Sequence, residues 1–433
     1  MNLTEEQKEV VYSEKDKIFV KSVAGSGKTT TLIEYAKNNF NKKILVLMFN
    51  KDLRASTRLK MPCNCEVHTI NSLAFFYSRY KDRFIVDNLT VVDVLEILDI
   101  RDIDLAFKYL NGYISYINNI PGDKDLGANL YETMKRKKTK VDHLFILKEF
   151  SVSKEIEILY FDILMIDEAQ DINPVMIEII QKIKHKKDIA VGDPKQSIYK
   201  FMNNISLLDS VYFQTHTKYT LSKSFRFGEE IAEIVNEISY KMYKEEVGII
   251  GNENIKSIIT KENVFGPYSA YICRTNAHLF EKAIEYALSD MKISIPFDWE
   301  ELKLNLFDLI YLKIGLREKI QNKLFKKYED YNILKKSLKI NQSKDISYLI
   351  RIIDKYDISI IEYISLLEKY LSSPKYADII LITAHKSKGL EFLYVEYGED
   401  FNFKNEEEKN LTYVALTRPI KELNINNLKW SKL

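Results

Sequence analysis

Two short stretches carry residue types suited to phosphate chemistry. Ala24-Gly25-Ser26-Gly27-Lys28-Thr29-Thr30 follows an apolar run and opens a helical one. Glycines there let the backbone turn so that N–H groups point at phosphate oxygens. The helix N-terminus adds its positive end. A lysine placed like Lys28 reaches the β- and γ-phosphates, and a hydroxyl placed like Thr29 ligates Mg²⁺. Where the general pattern has its first glycine, this chain has Ser22. The second stretch, Ile163-Leu164-Met165-Ile166-Asp167-Glu168, is an apolar strand that delivers two adjacent carboxylates to its tip. Asp167 is assigned to magnesium, and Glu168 to the general base that polarises the attacking water. An Asp-Glu pair at a strand end says little by itself; downstream of a phosphate loop it is specific.

The elements that must position these residues alternate between strand and helix signals, which predicts an α/β protein with parallel sheets. Strands are expected over Lys17 to Val23, Lys43 to Phe49, Phe161 to Ile166 and Asp188 to Val191, with a helix over Thr29 to Asn39. Ligands of such sheets sit beyond the carboxyl ends of the strands, so the loops there should converge. From Phe75 to Ser153 the pattern is mostly helical and reads as an insertion. A second α/β stretch is expected from Tyr219, with strands at Tyr268 to Cys273, Ile379 to Thr383 and Leu393 to Tyr397, interrupted by helix from Ala277 to Tyr376. The expected architecture is therefore two tandem α/β parallel-sheet cores, each interrupted by a mainly helical insertion. The first core takes 1–75 and 156–217 with its insertion at 76–155. The second takes 218–280 and 377–433 with a reduced insertion at 281–376.

Composition bounds the partners. The 433 residues carry a net charge of only +2, so nucleic-acid contact must come from local patches; a few phosphate contacts in a groove suffice. Three cysteines, Cys63, Cys65 and Cys273, make no disulfide framework and fit a reducing, cytoplasmic setting. Cys63-Asn64-Cys65 lacks the second pair that a zinc site needs. The first residues are polar and acidic, so no signal peptide is expected, and no apolar run is long enough to predict a membrane span. Lys135-Arg136-Lys137-Lys138 reads as a solvated loop or as a contact to duplex phosphates.

Taken together and in order, the motifs resemble superfamily 1A DNA helicases, the UvrD/Rep/PcrA group, from Gln7 to Arg418. Phe49-Asn50-Lys51 and Ser224-Phe225-Arg226-Phe227-Gly228 are worded most like the F-box DNA helicase branch, although no F-box fits here. The resemblance implies that both α/β cores are RecA-like, and it implies several residue roles. Gln7, in Leu3-Thr4-Glu5-Glu6-Gln7, would read the adenine edge, a task suited to an amide that both donates and accepts. Gln170 would couple ATP to DNA. In Val191-Gly192-Asp193-Pro194-Lys195-Gln196-Ser197-Ile198-Tyr199, Gln196 would sense the γ-phosphate. Tyr199 and Phe201 would face DNA, Phe201 standing where many relatives have a stacking Trp. Phe225 would stack on adenine, and Arg226 would reach the γ-phosphate. In the run Ile382 to Phe392, Gly389 would approach phosphate and Glu391 the ribose, while His385 and Lys388 would touch DNA. Arg418, in Tyr413-Val414-Ala415-Leu416-Thr417-Arg418, looks like a second arginine finger. Asn50, and Thr69 and Ser72 in the run His68 to Ala74, complete the expected DNA contacts.

The implied activity is ATP-driven 3′→5′ movement on single-stranded DNA, with a duplex junction as an additional substrate, by closure of two cores around one nucleotide. Little chain follows Arg418, so no fused nuclease is expected. Two alternatives stand beside this one. The chain could be a DNA-stimulated ATPase subunit of a repair or antiphage defence complex with a nuclease partner. Or it could be a nucleotide-gated binding module with little turnover.

Overall fold

The computed structural model describes residues 3–49, 51–198, 211–263, 265–296, 299–341 and 344–432. The chain forms two compact units, Met1–Phe225 and Arg226–Leu433.

Among the described residues, the first unit has eight strands: β1 (Lys17–Ser22), β2 (Ile44–Met48), β3 (Cys65–Thr69), β4 (Ile85–Val86), β5 (Val141–Asp142), β6 (Tyr160–Ile166), β7 (Lys184–Gly192) and β8 (Thr217–Leu221). Six of them make one parallel sheet in the order β3-β2-β6-β7-β1-β8. The apolar run of β2 is buried at every position, as expected for a strand covered on both faces. Ile18 and Val20 of β1, Ile163 and Met165 of β6, and Ile189 and Val191 of β7 share a core cluster with Leu32 and Ala36 of the helix Lys28–Asn38. This two-residue spacing along the strands and four-residue spacing on the helix put one apolar face of the sheet against one helical stripe. The strand Thr217–Leu221 differs from expectation. The sequence pattern places it with the second core, yet it pairs with β1, Ile18 opposite Thr217 and Ser22 opposite Leu221.

Between β3 and β6 lie the helices Ile70–Tyr77, Val91–Leu98, Ile103–Asn118, Lys124–Lys137 and His143–Ser151, with β4 and β5 as a small parallel pair. The basic run closes the helix Lys124–Lys137, where cations favour the negative helix end. Lys135 pairs with Glu149 at 2.9 Å, and Lys137 donates to the Ile97 carbonyl at 3.0 Å. Half of that run thus has an internal structural use.

The second unit holds β9 (Ile258–Thr260), β10 (Ser269–Cys273), β11 (Ile293–Ser294), β12 (Ile379–Thr383), β13 (Phe392–Tyr397) and β14 (Pro419–Asn424). They form a parallel sheet in the order β11-β12-β10-β13-β14-β9. The segment between β11 and β12 is helical: Trp299–Ile314, Tyr331–Asn341, Lys344–Tyr356 and Ile360–Tyr370. Two six-stranded parallel sheets, each with helices between its strands, are tandem RecA-like cores. Among the described residues, no helix is long and apolar enough to cross a membrane.

Candidate active site

The phosphate loop follows from the way β1 ends. Gly25 and Gly27 take positive φ, 74° and 77°, conformations that L side chains rarely adopt. Gly27 caps the helix Lys28–Asn38 with no side chain of its own, so the helix N-terminus is open for an anion. A β-carbon at Gly27 would also sit 3.1 Å from Gln7 Nε2. Ser22 now has a reason. Its buried hydroxyl donates to the Gly192 carbonyl at 2.9 Å and ties β1 to β7, so it serves the sheet and the turn begins after it. Ser26 is buried, and its Oγ has no hydrogen-bond partner.

Gln7 and Phe225 both meet this loop. Thr4 and Gln7 form a reciprocal cap at the start of the helix Glu5–Val11, and Gln7 Nε2 approaches the Ser26 carbonyl at 3.4 Å. The Phe225 backbone N–H donates to the Gly25 carbonyl at 2.8 Å. Phe225 is 40% exposed, and its ring is available for stacking. Glu6, to which sequence reasoning gives no role, accepts from both the N–H and the hydroxyl of Ser222, at 2.7 and 2.6 Å. It thereby fixes the chain leading to Phe225. Its position beside Gln7 is visible in the sequence, but its partner lies far along the chain.

The strand β6 delivers the carboxylates. Asp167 accepts the Thr29 hydroxyl at 2.8 Å, and Lys28 Nζ lies 3.7 Å from Glu168 Oε2. Glu168 has φ 55°, a left-handed turn that separates the directions of two adjacent side chains. Burial, then the charge of Glu168, push the Asp167 carboxyl up to about 6, against the pull of Lys28 and of the Thr29 hydroxyl. A buried carboxylate beside a hydroxyl, both oxygen donors, suits a hard divalent cation. Thr29 and Asp167 would hold Mg²⁺, which supplies charge neutralisation of the phosphates.

A hydrogen-bond relay leaves the general base on the other side. Gln170 Nε2 donates to Glu168 Oε2 at 2.6 Å, while its Oε1 accepts from the Asp193 N–H at 3.1 Å. The carboxylate of Asp193 accepts from Gln196 Nε2 at 2.7 Å. Burial raises the Asp193 carboxyl. Sequence reasoning misses Asp193 as a functional residue; its signal is a carboxylate inside a motif whose neighbours have roles.

Thr69 and Ser72 cap the helix Ile70–Tyr77 reciprocally, at 2.9 and 3.0 Å. Asn50, Tyr199 and Phe201 lie outside the described residues. Cys65 begins β3 half-buried, its thiol pushed up to about 11 by burial, and among the described residues no His, Cys, Asp and Glu group is placed to hold a metal.

Within the second unit, Arg226, Glu391 and Arg418 come together. Arg226 Nε donates to Glu391 Oε1 at 2.8 Å, and Nη1 to the Thr417 carbonyl at 2.7 Å. Arg418 is 1% exposed and donates to the carbonyls of Val414 and Leu390. Gly389, with φ 84°, adjoins Leu390. His385 lies within the short helix Ala384–Ser387, and Lys388 caps its C-terminal end.

Two RecA-like sheets, one carrying a phosphate loop facing an Asp-Glu pair, make the architecture seen in P-loop NTPases. The profile of the AAA domain family matches residues 7–202. The chain is 26% identical to F-box DNA helicase protein 1 of Schizosaccharomyces pombe, over 98% of this chain and 57% of that protein. It is 27% identical to F-box DNA helicase 1 of Gallus gallus, over 96% of this chain and 48% of that protein. An ATP-dependent helicase/nuclease subunit of Syntrophomonas wolfei is 33% identical over 38% of this chain and 14% of its own length. The chain thus spans about half the length of the F-box DNA helicases it matches. These relatives bear out the resemblance to superfamily 1 helicases that the motifs carry.

Proposed function

We propose that the protein is an ATP-dependent DNA helicase or translocase that moves 3′→5′ on single-stranded DNA. The observation that carries this reading is the pairing of Thr29 with Asp167 and of Lys28 with Glu168, which together supply a phosphate ligand, a magnesium site and a base. Gln7, the run Ala24 to Thr30, and Phe225 bind the nucleotide, and Gln196 senses its γ-phosphate. Arg226 and Arg418, with Gly389 and Glu391, complete the site when the second core engages the nucleotide. Closure then follows ATP binding, and hydrolysis removes the bias toward it. Such fingers contribute about 10³–10⁵ in rate in other NTPases. DNA is held by Asn50, Thr69, Ser72, Tyr199, Phe201, His385 and Lys388. The free cysteines support a cytoplasmic setting.

The test is the ATPase rate with and without single-stranded DNA, using Lys28→Ala as the blank, followed by unwinding of 3′-tailed and 5′-tailed duplexes. Strong stimulation and a preference for the 3′ tail are expected. Stimulation without unwinding favours the second reading, a motor subunit that needs a partner. That reading is suggested by the relatives named as helicase/nuclease subunits and implies a nuclease as partner. Activity that ignores DNA defeats both.

A further inference from the structure

The helix Ile70–Tyr77 begins at the Thr69–Ser72 cap, and a second feature lies just beyond its other end. A cavity of about 310 Å³ is lined there by Tyr77, Arg79, Lys135, Phe150, Ser153 and Lys154, with Glu149 in its wall. Glu149 is the organising group. Its side chain is 6% exposed, and it accepts from the hydroxyls of Tyr80 and Tyr131, from Lys135 at 2.9 Å and from Arg79 at 3.3 Å. This spends the carboxylate inward. Arg79 uses one nitrogen on it and keeps 75% of its side chain exposed, packed across the Tyr80 ring at 5.4 Å, so its guanidinium is anchored at the surface. Lys154 is exposed, and Ser153 has a buried hydroxyl without a hydrogen-bond partner. Counting Glu149 and Glu155, the lining keeps one net positive charge (Arg79, Lys135 and Lys154 against two carboxylates); Arg79, Lys154 and Glu155 are its exposed charged residues, while Lys135 turns to the buried Glu149.

An aromatic step continues from this cavity. Tyr77 stacks on Phe150 at 5.9 Å and 13°, and Phe76 lies edge-on to Tyr77 at 5.0 Å. Phe76 is 60% exposed and Lys81 sits over its ring at 5.3 Å. An exposed aromatic next to a surface that carries Lys81, Arg79 and Lys154 suits a ligand with both an open π-face and a phosphate. Duplex DNA keeps its bases stacked, whereas an unpaired strand offers both groups at once.

We infer that this surface is a second subsite for single-stranded DNA, with a phosphodiester held by Arg79 and Lys154 at the cavity mouth and an unstacked base on Phe76. The eight-residue helix spans roughly 12 Å at 1.5 Å per residue, so one strand can lie along it from the Thr69–Ser72 end to this cavity. The subsite rests on the proposed DNA-motor reading and extends the bound length of strand on the first unit.

Fluorescence anisotropy with labelled oligo-dT of increasing length, over a salt series, tests it. Phe76→Ala and Lys154→Ala should each leave the DNA-free ATPase unchanged. Each should weaken binding of long oligonucleotides, with about a tenfold or larger loss for Phe76→Ala. Arg79→Ala and Lys154→Ala should each lower the salt slope by about 0.7. The shortest oligonucleotides that wild type binds should be unaffected, because they do not reach the cavity. Wild-type affinity and slope in both Phe76→Ala and Lys154→Ala would overturn the subsite while leaving the motor reading intact. Failure of the wild-type chain to bind any oligo-dT would defeat the motor reading and the subsite with it. An effect confined to DNA-independent capture of another protein would assign the surface to a protein partner and overturn the inference.

Discussion

Thr29 donates its hydroxyl to Asp167 at 2.8 Å, so the two residues assigned to magnesium already satisfy one another. The bond offsets only part of what the charge costs, because Asp167 is buried and next to Glu168. Its carboxyl is raised from 3.8 to about 6, so its favourable share of stability is present below pH 4 and is lost as pH rises through about 6. Asp167→Asn removes that charge while keeping an oxygen for Thr29. Thermal denaturation without magnesium should show the variant more stable than wild type at pH 8, by up to roughly 3 kcal/mol, since each tenfold change in proton affinity is worth about 1.4 kcal/mol. The advantage should shrink below pH 6. A variant less stable at pH 8 would mean that Asp167 is not penalised by its burial.

The ion pair of Lys28 with Glu168 at 3.7 Å joins two residues with separable jobs. Glu168→Gln should keep nucleotide binding and lower turnover by about 10²–10⁴, the usual worth of a positioned base. Lys28→Ala should lose both. Fluorescent-nucleotide binding alongside single-turnover hydrolysis distinguishes them, and a Glu168→Gln enzyme with near-normal turnover would remove Glu168 from the base role.

Gln170 is the link between that base and Gln196. A β-carbon on Gly192 would lie 2.7 Å from Gln170 Oε1, so Gly192→Ala must push the amide away from Glu168 and the Asp193 N–H. Gln170→Ala removes the amide outright. Both variants should bind nucleotide normally and lose most of the stimulation by single-stranded DNA. Equal stimulation in wild type and in both variants would show that the relay does not carry the coupling.

The interior of each fold is legible in the sequence, and its edges are not. The strands β2, β6 and β10 are buried throughout or nearly so and read as apolar runs. The strand β3, at one edge, exposes Glu66 and half-exposes His68; β8, at the other edge, has its first residues in solvent. Neither shows a continuous apolar signal, and the pattern alone puts β8 in the wrong core. At the edges of the second sheet, β9 has no buried residue, and β11, though buried, is only two residues long, too short for a pattern. The phosphate loop and the Asp-Glu pair are legible because each is local in sequence. Glu6 and Asp193 are not, since their roles depend on Ser222 and on Gln170, partners that only folding brings near.

Arg274 and Glu408 form a buried bidentate pair in the second unit, with Nε–Oε2 at 2.8 Å and Nη2–Oε1 at 2.7 Å. Asn402 adds a bond to the same carboxylate at 3.0 Å. Arg274→Ala leaves the Glu408 charge buried without its main partner, a loss of about 3–5 kcal/mol. Replacing both residues, as Arg274→Met with Glu408→Leu, removes the stranded charge and should cost far less. Both tryptophans, Trp299 and Trp430, lie in this unit, so tryptophan fluorescence in urea reports its unfolding selectively. The single variant should shift that transition to much lower urea, and the double variant should recover most of the shift. If the double variant is as unstable as the single one, the pair contributes through packing of its aliphatic and guanidinium surfaces rather than through charge.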